Sequence, residues 1–295
     1  MLRALFMSMM VAVILATAGM TGITLIAVGS LVVGVAMVFF PAIAHPYMKK
    51  VTGSDDVAIG HFSTLSYVLA GFIGSKFGNK VHSTEDMNVP KSLLFLRDTP
   101  VAISFTMSII FLLTCLFAGA DAVKELSGGK NWFMFSIMQS ITFAAGVYII
   151  LQGVRMVIAE IVPAFKGISD KLVPNARPAL DCPVIFPYAP NAVLVGFLSS
   201  FAAGLIGMFT LYLLNMIVII PGVVPHFFVG AAAGAFGNAT GGRRGAILGA
   251  FAQGLLITFL PVFLLPVLGD IGFANTTFSD ADFGALGILL GIIVR

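Results

Sequence analysis

Long stretches without any charged residue are the feature that most limits what this sequence can fold into. Five of them exceed the roughly 18 residues that mark a membrane-spanning helix. Only 10% of the chain is Asp, Glu, Lys or Arg, whereas 59% is hydrophobic. In a typical soluble domain, about a quarter of the residues are charged. The chain is therefore predicted to be an integral membrane protein. The uncharged stretches are 4–48, 101–120, 132–154, 182–242 and 245–269.

The kind of spanning element follows from backbone hydrogen bonding. Because lipid offers no partner to backbone N–H and C=O groups, only helices and closed barrels cross a membrane. Barrel strands would read as short segments that alternate polar and apolar residues, and the sequence lacks that pattern. The predicted fold class is an all-α, polytopic helical bundle in a single membrane domain over residues 1–295. Stretch 4–48 is too long for one span and is predicted to form two helices that hinge at 17–22, the second ending at the PAIAHP motif (41–46).

The basic residues predict how the chain is oriented. Lys and Arg concentrate in 49–97 and 155–177, which the positive-inside rule assigns to the cytoplasm. The hairpin 121–130 is balanced in charge and is predicted to face outward, as is the acidic tail loop that contains Asp270, Asp280 and Asp282. The net charge of +3 thus concerns topology, and no nucleic-acid partner is expected.

Two glycine-rich segments, 57–74 and 223–242, are predicted to be re-entrant or broken helices. Both are uncharged but too polar for lipid contact, so they should be buried inside protein. Each contains a His-Phe pair, and a Phe-Gly-Asn triplet follows that pair, at 77–79 just beyond the first segment and at 236–238 within the second. Matching interrupted segments in two halves are typical of a transporter built as an inverted repeat. The alternative is that the small residues only allow close helix packing.

Residues 156–173 form a third distinct segment, with apolar and charged residues interleaved. This pattern predicts an amphipathic helix that lies at the interface or links domains. An ordinary surface helix with solvated charges is the alternative.

The most unusual position is Asp181, in the stretch PALDCPVIFPYAPNA at the start of the longest uncharged run. A carboxylate at membrane depth costs at least about 2.5–3.5 kcal/mol and persists only with partners or water. The prolines around it prevent a regular helix and free backbone polar groups, which are tolerated where they line a polar cavity. Such a cavity, with Asn191, Phe186 and Tyr188, suits a small polyhydroxylated ligand. The alternative is an interfacial loop in which Asp181 caps the next helix.

The histidines and cysteines allow fewer conclusions. His61 follows Gly60 and is either a packing residue or a ligand-binding residue. His45 and His226 lie beside prolines at span ends and are predicted to be structural, and His82 to be solvated. Only two cysteines, Cys115 and Cys182, are present, so neither a zinc motif nor a disulfide framework is predicted. The sequence also contains no recognisable catalytic motif, and no cofactor or metal is expected.

Four blocks in order, DDVAIGHFSTLSYVLAG, ILQGVRMVIAEIVPAFKGISDKLVP, ALDCPVIFPYAPNAVLVGFLSS and PGVVPHFFVGAAAGAFGNATGGRRGAILGAF, resemble ascorbate-type enzyme IIC permeases of the bacterial phosphotransferase system. The resemblance implies a homodimeric, multi-pass protein of the bacterial inner membrane that moves L-ascorbate by an elevator-like displacement. A cytoplasmic IIB partner, phosphorylated by IIA, would then phosphorylate the substrate, so this chain itself is expected not to be an enzyme.

The resemblance also implies the binding residues. The family's pocket includes a His after Gly and an Asp before Cys, which correspond to His61 and Asp181. Phe62 stands where some members carry an amide. The predicted substrate-binding set is His61, Phe62, Asp181, Cys182 and Asn191.

The family's chains continue further upstream, so this sequence resembles their C-terminal, larger part. Two alternatives therefore stay open. One is a proton-coupled secondary transporter of a small sugar acid, in which Asp181 carries the proton. The other is a non-transporting fragment of a split permease.

Overall fold

The computed structural model describes residues 2–87, 99–269 and 277–294, and these residues are almost entirely helical. The α-helices are α1 (Leu2–Thr17), α2 (Gly22–Thr52), α3 (Thr64–Phe77), α4 (Thr99–Ala118), α5 (Ala120–Leu126), α6 (Trp132–Lys171), α7 (Pro190–Leu213), the one-turn α8 (Val223–Pro225), α9 (Ala231–Leu268) and α10 (Ala281–Val294). A 3-10 helix covers Cys182–Tyr188, and a π-helical turn at His226–Gly230 joins α8 to α9. Two short strands, β1 (Ala58–Ile59) and β2 (Ala179–Leu180), pair with each other.

Several of these helices are long and apolar enough to cross a membrane. In the described residues they are Gly22–Thr52, Trp132–Lys171, Pro190–Leu213 and Val223–Leu268. A fifth span is possible if α4 and α5 count as one, although the chain bends by 114° between them. The predicted all-α, polytopic membrane fold is confirmed.

The predicted hinge between the first two helices is confirmed, but the end of the second helix is not where the sequence placed it. Gly19 and Gly22 have φ values of +88° and +56°, which glycine adopts without the steric penalty of a side chain. Helix α2 passes through Pro41 and Pro46 and ends at Thr52, beyond the PAIAHP motif. Prolines are tolerated in membrane helices because neighbouring groups satisfy the freed carbonyls.

Helix α6 joins two segments that the sequence analysis separated. The span 132–154 and the amphipathic segment 156–173 form one helix of 40 residues that ends at Lys171. The charged residues that begin at Arg155 are good helix formers, so they do not interrupt the backbone. The change in polarity along α6 is therefore not a helix boundary.

The chain divides into two compact units. One comprises Met1–Asp86 and Ile161–Arg295, and the other comprises Met87–Glu160. Within the second unit, the Ser108 and Ser140 hydroxyls are hydrogen-bonded at 2.8 Å, a polar contact of the kind that joins membrane helices. Residues 76–100, which the sequence predicts to be an amphipathic cytoplasmic connector, lie partly outside the described residues.

Helices α3 and α9 form the centre of the first unit, and glycines set their separation. A Cβ added to Gly245 would lie 3.0 Å from the Cα of Gly74, and one added to Gly249 would lie 2.8 Å from the carbonyl oxygen of Ala70. Along this interface the residue numbers rise on α9 while they fall on α3, so these parts of the two helices are antiparallel.

Helix α9 is interrupted at Gly241 and Gly242, whose φ/ψ values are −146°/18° and 59°/−153°. Backbone groups at the interruption bond to the loop that follows α3: Asn79 N donates to Gly241 O at 2.8 Å, and Arg243 N donates to His82 O at 2.7 Å. The break is stable because its polar groups have partners inside protein.

Candidate functional site

The paired strands bring together two residues that are 120 positions apart in sequence. Strands β1 and β2 run parallel, with Ala58 N bonded to Pro178 O at 2.9 Å and Gly60 N bonded to Leu180 O at 2.7 Å. The carboxyl ends of parallel strands lie at the same edge. His61 and Asp181 follow these two ends, and His61 Nδ1 is hydrogen-bonded to Asp181 Oδ1.

The two partners differ strongly in exposure. The His61 side chain is completely buried, whereas 61% of the Asp181 side chain is exposed. Asp181 also caps the 3-10 helix, since its Oδ1 accepts a hydrogen bond from Cys182 N at 2.7 Å. The capping role and the contact with His61 therefore coexist, and Asp181 connects an exposed surface with a buried imidazole.

A second carboxylate faces the other side of the imidazole ring. His61 Nε2 lies 3.7 Å from Asp280 Oδ1 and has no hydrogen-bond partner among the described residues. Asp280, which is 8% exposed, accepts a hydrogen bond from Ser63 Oγ at 3.0 Å. The imidazole thus lies between one exposed and one nearly buried carboxylate.

Asp282 holds the start of α3 beside this cluster. Its carboxylate accepts bonds from Thr64 N at 2.9 Å, Thr64 Oγ1 at 2.6 Å and Leu65 N at 2.8 Å. The first backbone N–H groups of a helix have no partner within the helix, and the helix dipole favours a negative charge there. Asp282 therefore fixes the end of α3 that follows His61.

The roles of Asp280 and Asp282 were not predicted from the sequence. Both residues were expected in an outward-facing loop, but Asp282 has no exposed surface. Both contact the α3 start because α10 packs against α3 and α9. A signal was present, since the two acids directly precede an uncharged apolar run at 283–294. Acidic residues at the edge of such a run are candidates for helix capping or function.

Asp280 lines a cavity of about 400 Å³. This volume is within the usual range for small-ligand sites. Polar and aromatic side chains meet there, which suits a ligand with hydroxyl groups on an otherwise apolar ring. The lining residues are Phe6, Val224, Pro225, Phe228, Thr277, Phe278, Ser279, Asp280 and Phe283.

The other predicted site residues have different surroundings. Cys182 is buried directly beside Asp181. The Phe62 ring packs edge-on against Phe40 at 6.2 Å and Phe283 at 5.6 Å between ring centroids, within the apolar core. Asn191 does not join the cluster, because its side-chain amide donates to Thr84 O at 3.2 Å.

Glu85 explains where Asn191 lies. The Glu85 carboxylate accepts bonds from Asn191 N at 3.2 Å and Ala192 N at 2.9 Å, so it caps the start of α7. The contacts of Thr84 and Glu85 with Asn191 are therefore structural hydrogen bonds that join the loop after α3 to the start of α7. The substrate-binding role assigned to Asn191 stays a prediction without geometric support from the described residues.

His61, Asp181 and Cys182 also place three potential metal-ligand atoms within 4.8 Å of one another. Local sequence contained no metal motif, and only the pairing of the strands creates this set. Asp181 Oδ1 already bonds His61 Nδ1 and Cys182 N, so a metal ion would have to replace existing contacts. The residues fit a hydrogen-bonded ligand site better than a metal centre.

Asp55 anchors the strands that carry the site. Its carboxylate lies 2.6 Å from His45 Nε2, 2.9 Å from Lys49 Nζ and 2.6 Å from an Arg177 side-chain nitrogen. The Lys49 hydrogen bond, followed by that of His45, holds the pKa of Asp55 below its ordinary value of 3.8. Asp55 is therefore ionised at neutral pH, and it ties the segment before β1 to the segment before β2.

The surroundings of His226 differ from those of His61, because no carboxylate contacts its ring among the described residues. It is 2% exposed, and its Nδ1 is hydrogen-bonded to Ser200 Oγ at 2.8 Å. This contact joins the π-helical turn to α7, as expected for a structural residue.

Comparison with known proteins adds information at the family level. Residues 3–282 match the family EIIC-GAT, described as the PTS system sugar-specific permease component. The chain is also similar to the ascorbate-specific PTS system EIIC component of Mycoplasma pneumoniae, with 29% identity over 265 residues. That match covers 79% of this chain and 38% of the relative, so the chain spans less than half the length of that protein.

Proposed function

Since this chain belongs to the family of sugar-specific permease components of the phosphotransferase system, we propose that it binds L-ascorbate and carries it across the bacterial cell membrane. A cytoplasmic IIB partner, phosphorylated by IIA, then phosphorylates the substrate. The phosphoryl chemistry lies on those partners, and this chain is the transport subunit. Similarity to an ascorbate-specific relative supports the choice of substrate.

The observation that carries the proposal is the contact between buried His61 and exposed Asp181. A carboxylate is a strong acceptor for hydroxyl donors, and most of the Asp181 side chain is exposed. The imidazole fixes the orientation of the carboxylate, so a ligand meets a preorganised acceptor. The cavity beside Asp280 offers aromatic rings for the apolar faces of the same ligand.

The proposed transport element is the pair formed by α3 and the first part of α9. Helix α3 has 14 residues, or about 21 Å, which is less than the roughly 30 Å of hydrocarbon in a bilayer. Helix α9 is interrupted after Thr240. Segments 57–74 and 223–242 therefore serve as two broken or re-entrant segments of one transporter domain over residues 1–295. The proposed assembly is a homodimer.

The Asp181→Asn variant tests the site. Wild-type protein in detergent should melt at a higher temperature when L-ascorbate is added, because a ligand that binds only the folded state stabilises it. Asp181→Asn replaces one acceptor oxygen by a donor group and should abolish most of this increase. The measurement is the melting temperature across an ascorbate titration.

The matched control is Asp170→Asn, an exposed carboxylate on α6. It should retain the wild-type response to ascorbate. A wild-type protein that does not respond, or an Asp181→Asn variant that responds normally, contradicts the proposed site.

One observation also favours a second candidate, a proton-coupled transporter of a small sugar acid. His61 lies between Asp181, which is exposed, and Asp280, which lines a cavity. Three titratable groups in a row form a possible proton path. The two candidates differ in their energy source, which a transport assay can separate.

A further inference from the structure

Two fully buried polar side chains in the first unit have no hydrogen-bond partner among the described residues. They are Ser66, on the first turn of α3, and Gln253, in the second part of α9; each has 0% exposure. Within the described structure, neither Ser66 Oγ nor either polar atom of the Gln253 amide makes a hydrogen bond. Buried polar groups in folded proteins normally have partners, so these two require an explanation.

The helix register predicts that Ser66 and Gln253 lie at the same height of the α3–α9 interface. Gly74 packs against Gly245, and Ala70 packs against Gly249. Each step moves four residues back along α3 and four residues forward along α9. The next step pairs Ser66 with Gln253. The first two pairs consist of small residues, whereas both residues of the third pair are polar.

The surrounding backbone holds Gln253 at this position. A Cβ added to the adjacent Gly254 would lie 2.3 Å from Ser200 O, so α7 packs directly against α9 there. With Ala70 against Gly249 one turn earlier, α9 is fixed between two helices. The amide therefore cannot turn to solvent by a small shift of its helix.

The Ser66–Gln253 level lies close to the proposed ligand site. Ser66 is two residues into α3, or about 3 Å along the helix axis from its start, and His61 lies in the turn just before that start. The ring of Tyr67, the next residue after Ser66, has its centroid 6.0 Å from that of His61.

We propose that Ser66 and Gln253 form the inner end of the ligand site and bind a hydroxyl group of the substrate. This inference rests on the proposed function and deepens it. A primary amide offers both donors and acceptors, and a serine hydroxyl offers both as well, so the pair fits a neutral group that can donate and accept. A carboxylate or a cation would leave part of this capacity unused. An ordered water molecule can also donate and accept hydrogen bonds, and the experiment distinguishes a substrate hydroxyl from a bound water.

The test uses Gln253→Leu, which keeps the approximate volume and removes both polar atoms. Without ligand, the variant should melt at a higher temperature than wild type, since an unpaired buried polar group is unfavourable. The concentration of L-ascorbate that gives half of the maximal increase in melting temperature should rise roughly tenfold, the loss expected for one hydrogen bond. Ser66→Ala removes a single oxygen, is the milder change for folding, and should raise that concentration as well.

Thr258→Val is the matched control. Thr258 is buried five residues further along α9, but its hydroxyl already donates to Gly254 O at 2.7 Å. This variant should keep the wild-type ascorbate concentration dependence. An equal loss of ascorbate response in Thr258→Val overturns the inference, because the effect is then general to the core.

Two other outcomes are distinct. Normal ascorbate dependence in both Gln253→Leu and Ser66→Ala, whatever the change in ligand-free stability, shows that the pair holds an internal water or only packs, and it overturns the inference while the proposed function stands. A wild-type protein that does not respond to L-ascorbate overturns the proposed function itself.

Discussion

Asp282 is the residue whose position is hardest to account for by composition alone. A carboxylate with no exposed surface is expensive unless hydrogen bonds compensate for the lost water. Three donors from Thr64 and Leu65 do so here, two of them backbone N–H groups at the start of a helix. The same carboxylate stabilises α3 and fixes the distance between His61 and α10.

Replacing Asp282 by Asn tests this role at the scale of one residue. The amide retains one acceptor oxygen but directs a donor group at other donors, so the free energy of unfolding should fall by about 1–3 kcal/mol. The measurement is the melting temperature of the detergent-solubilised protein. Asp121→Asn, at an exposed first-turn position of α5, should change it little. Equal melting temperatures for Asp282→Asn and wild type would falsify the capping role.

At the scale of elements, the packing of α3 on α9 depends on the absence of side chains. A Cβ added to Gly74 would lie 2.3 Å from Thr240 Oγ1 and 2.6 Å from Gly237 O. A hydroxyl can rotate away, but the carbonyl belongs to the backbone of α9. Close approach of helix backbones through small residues is the usual basis of packing in membrane proteins. The same close approach of α3 and α9 positions the interruption at Gly241–Gly242 beside the loop after α3.

Gly74→Ala should therefore separate α3 from α9 and lower the free energy of unfolding by about 1–3 kcal/mol, the usual effect of overpacking. Gly146→Ala in α6 is the matched control, since a Cβ there would meet nothing within 4 Å. This control should be neutral or stabilising by roughly 0.5–1 kcal/mol, because alanine favours helix. Thermal melts of both variants provide the comparison, and similar effects at the two positions would contradict the packing argument.

At the scale of the whole molecule, the described residues form a multi-pass membrane protein of the bacterial cell membrane whose family is that of phosphotransferase permeases. A site made of a histidine between two carboxylates fits either of two energy sources. Phosphorylation of the arriving substrate traps it inside the cell, whereas proton coupling requires a titratable group that changes its contacts during the cycle.

Uptake into proteoliposomes separates these two mechanisms. With the IIA and IIB components enclosed, together with phosphoenolpyruvate and the phosphocarrier proteins that transfer its phosphoryl group to IIA, the protein should accumulate L-ascorbate as a phosphorylated product. An imposed proton gradient without phosphoenolpyruvate should cause no accumulation. Accumulation of unmodified ascorbate driven by the gradient alone would instead support the proton-coupled transporter.

The sequence by itself determined the features that depend on local composition. Partition of a segment into lipid depends on the residues of that segment, so the uncharged runs predicted a polytopic helical protein. The hinge at 17–22 followed from local glycines. His61 and Asp181 were identified from a histidine after glycine, an acid among prolines and a family resemblance, and the structure places them in contact.

Only the tertiary structure decided which polar groups are partners. The sequence predicted that Asp280 and Asp282 belong to an outward-facing loop. In the structure they bond Ser63 and Thr64, because α10 packs against the start of α3. Local sequence also gave no indication that Asn191 bonds the Thr84 backbone and Glu85. Only the register of two antiparallel helices predicts that Ser66 and Gln253 lie at the same height of the α3–α9 interface. The physical reason is that a hydrogen bond depends on the positions and directions of two groups, and those are fixed by packing between segments that are distant in sequence.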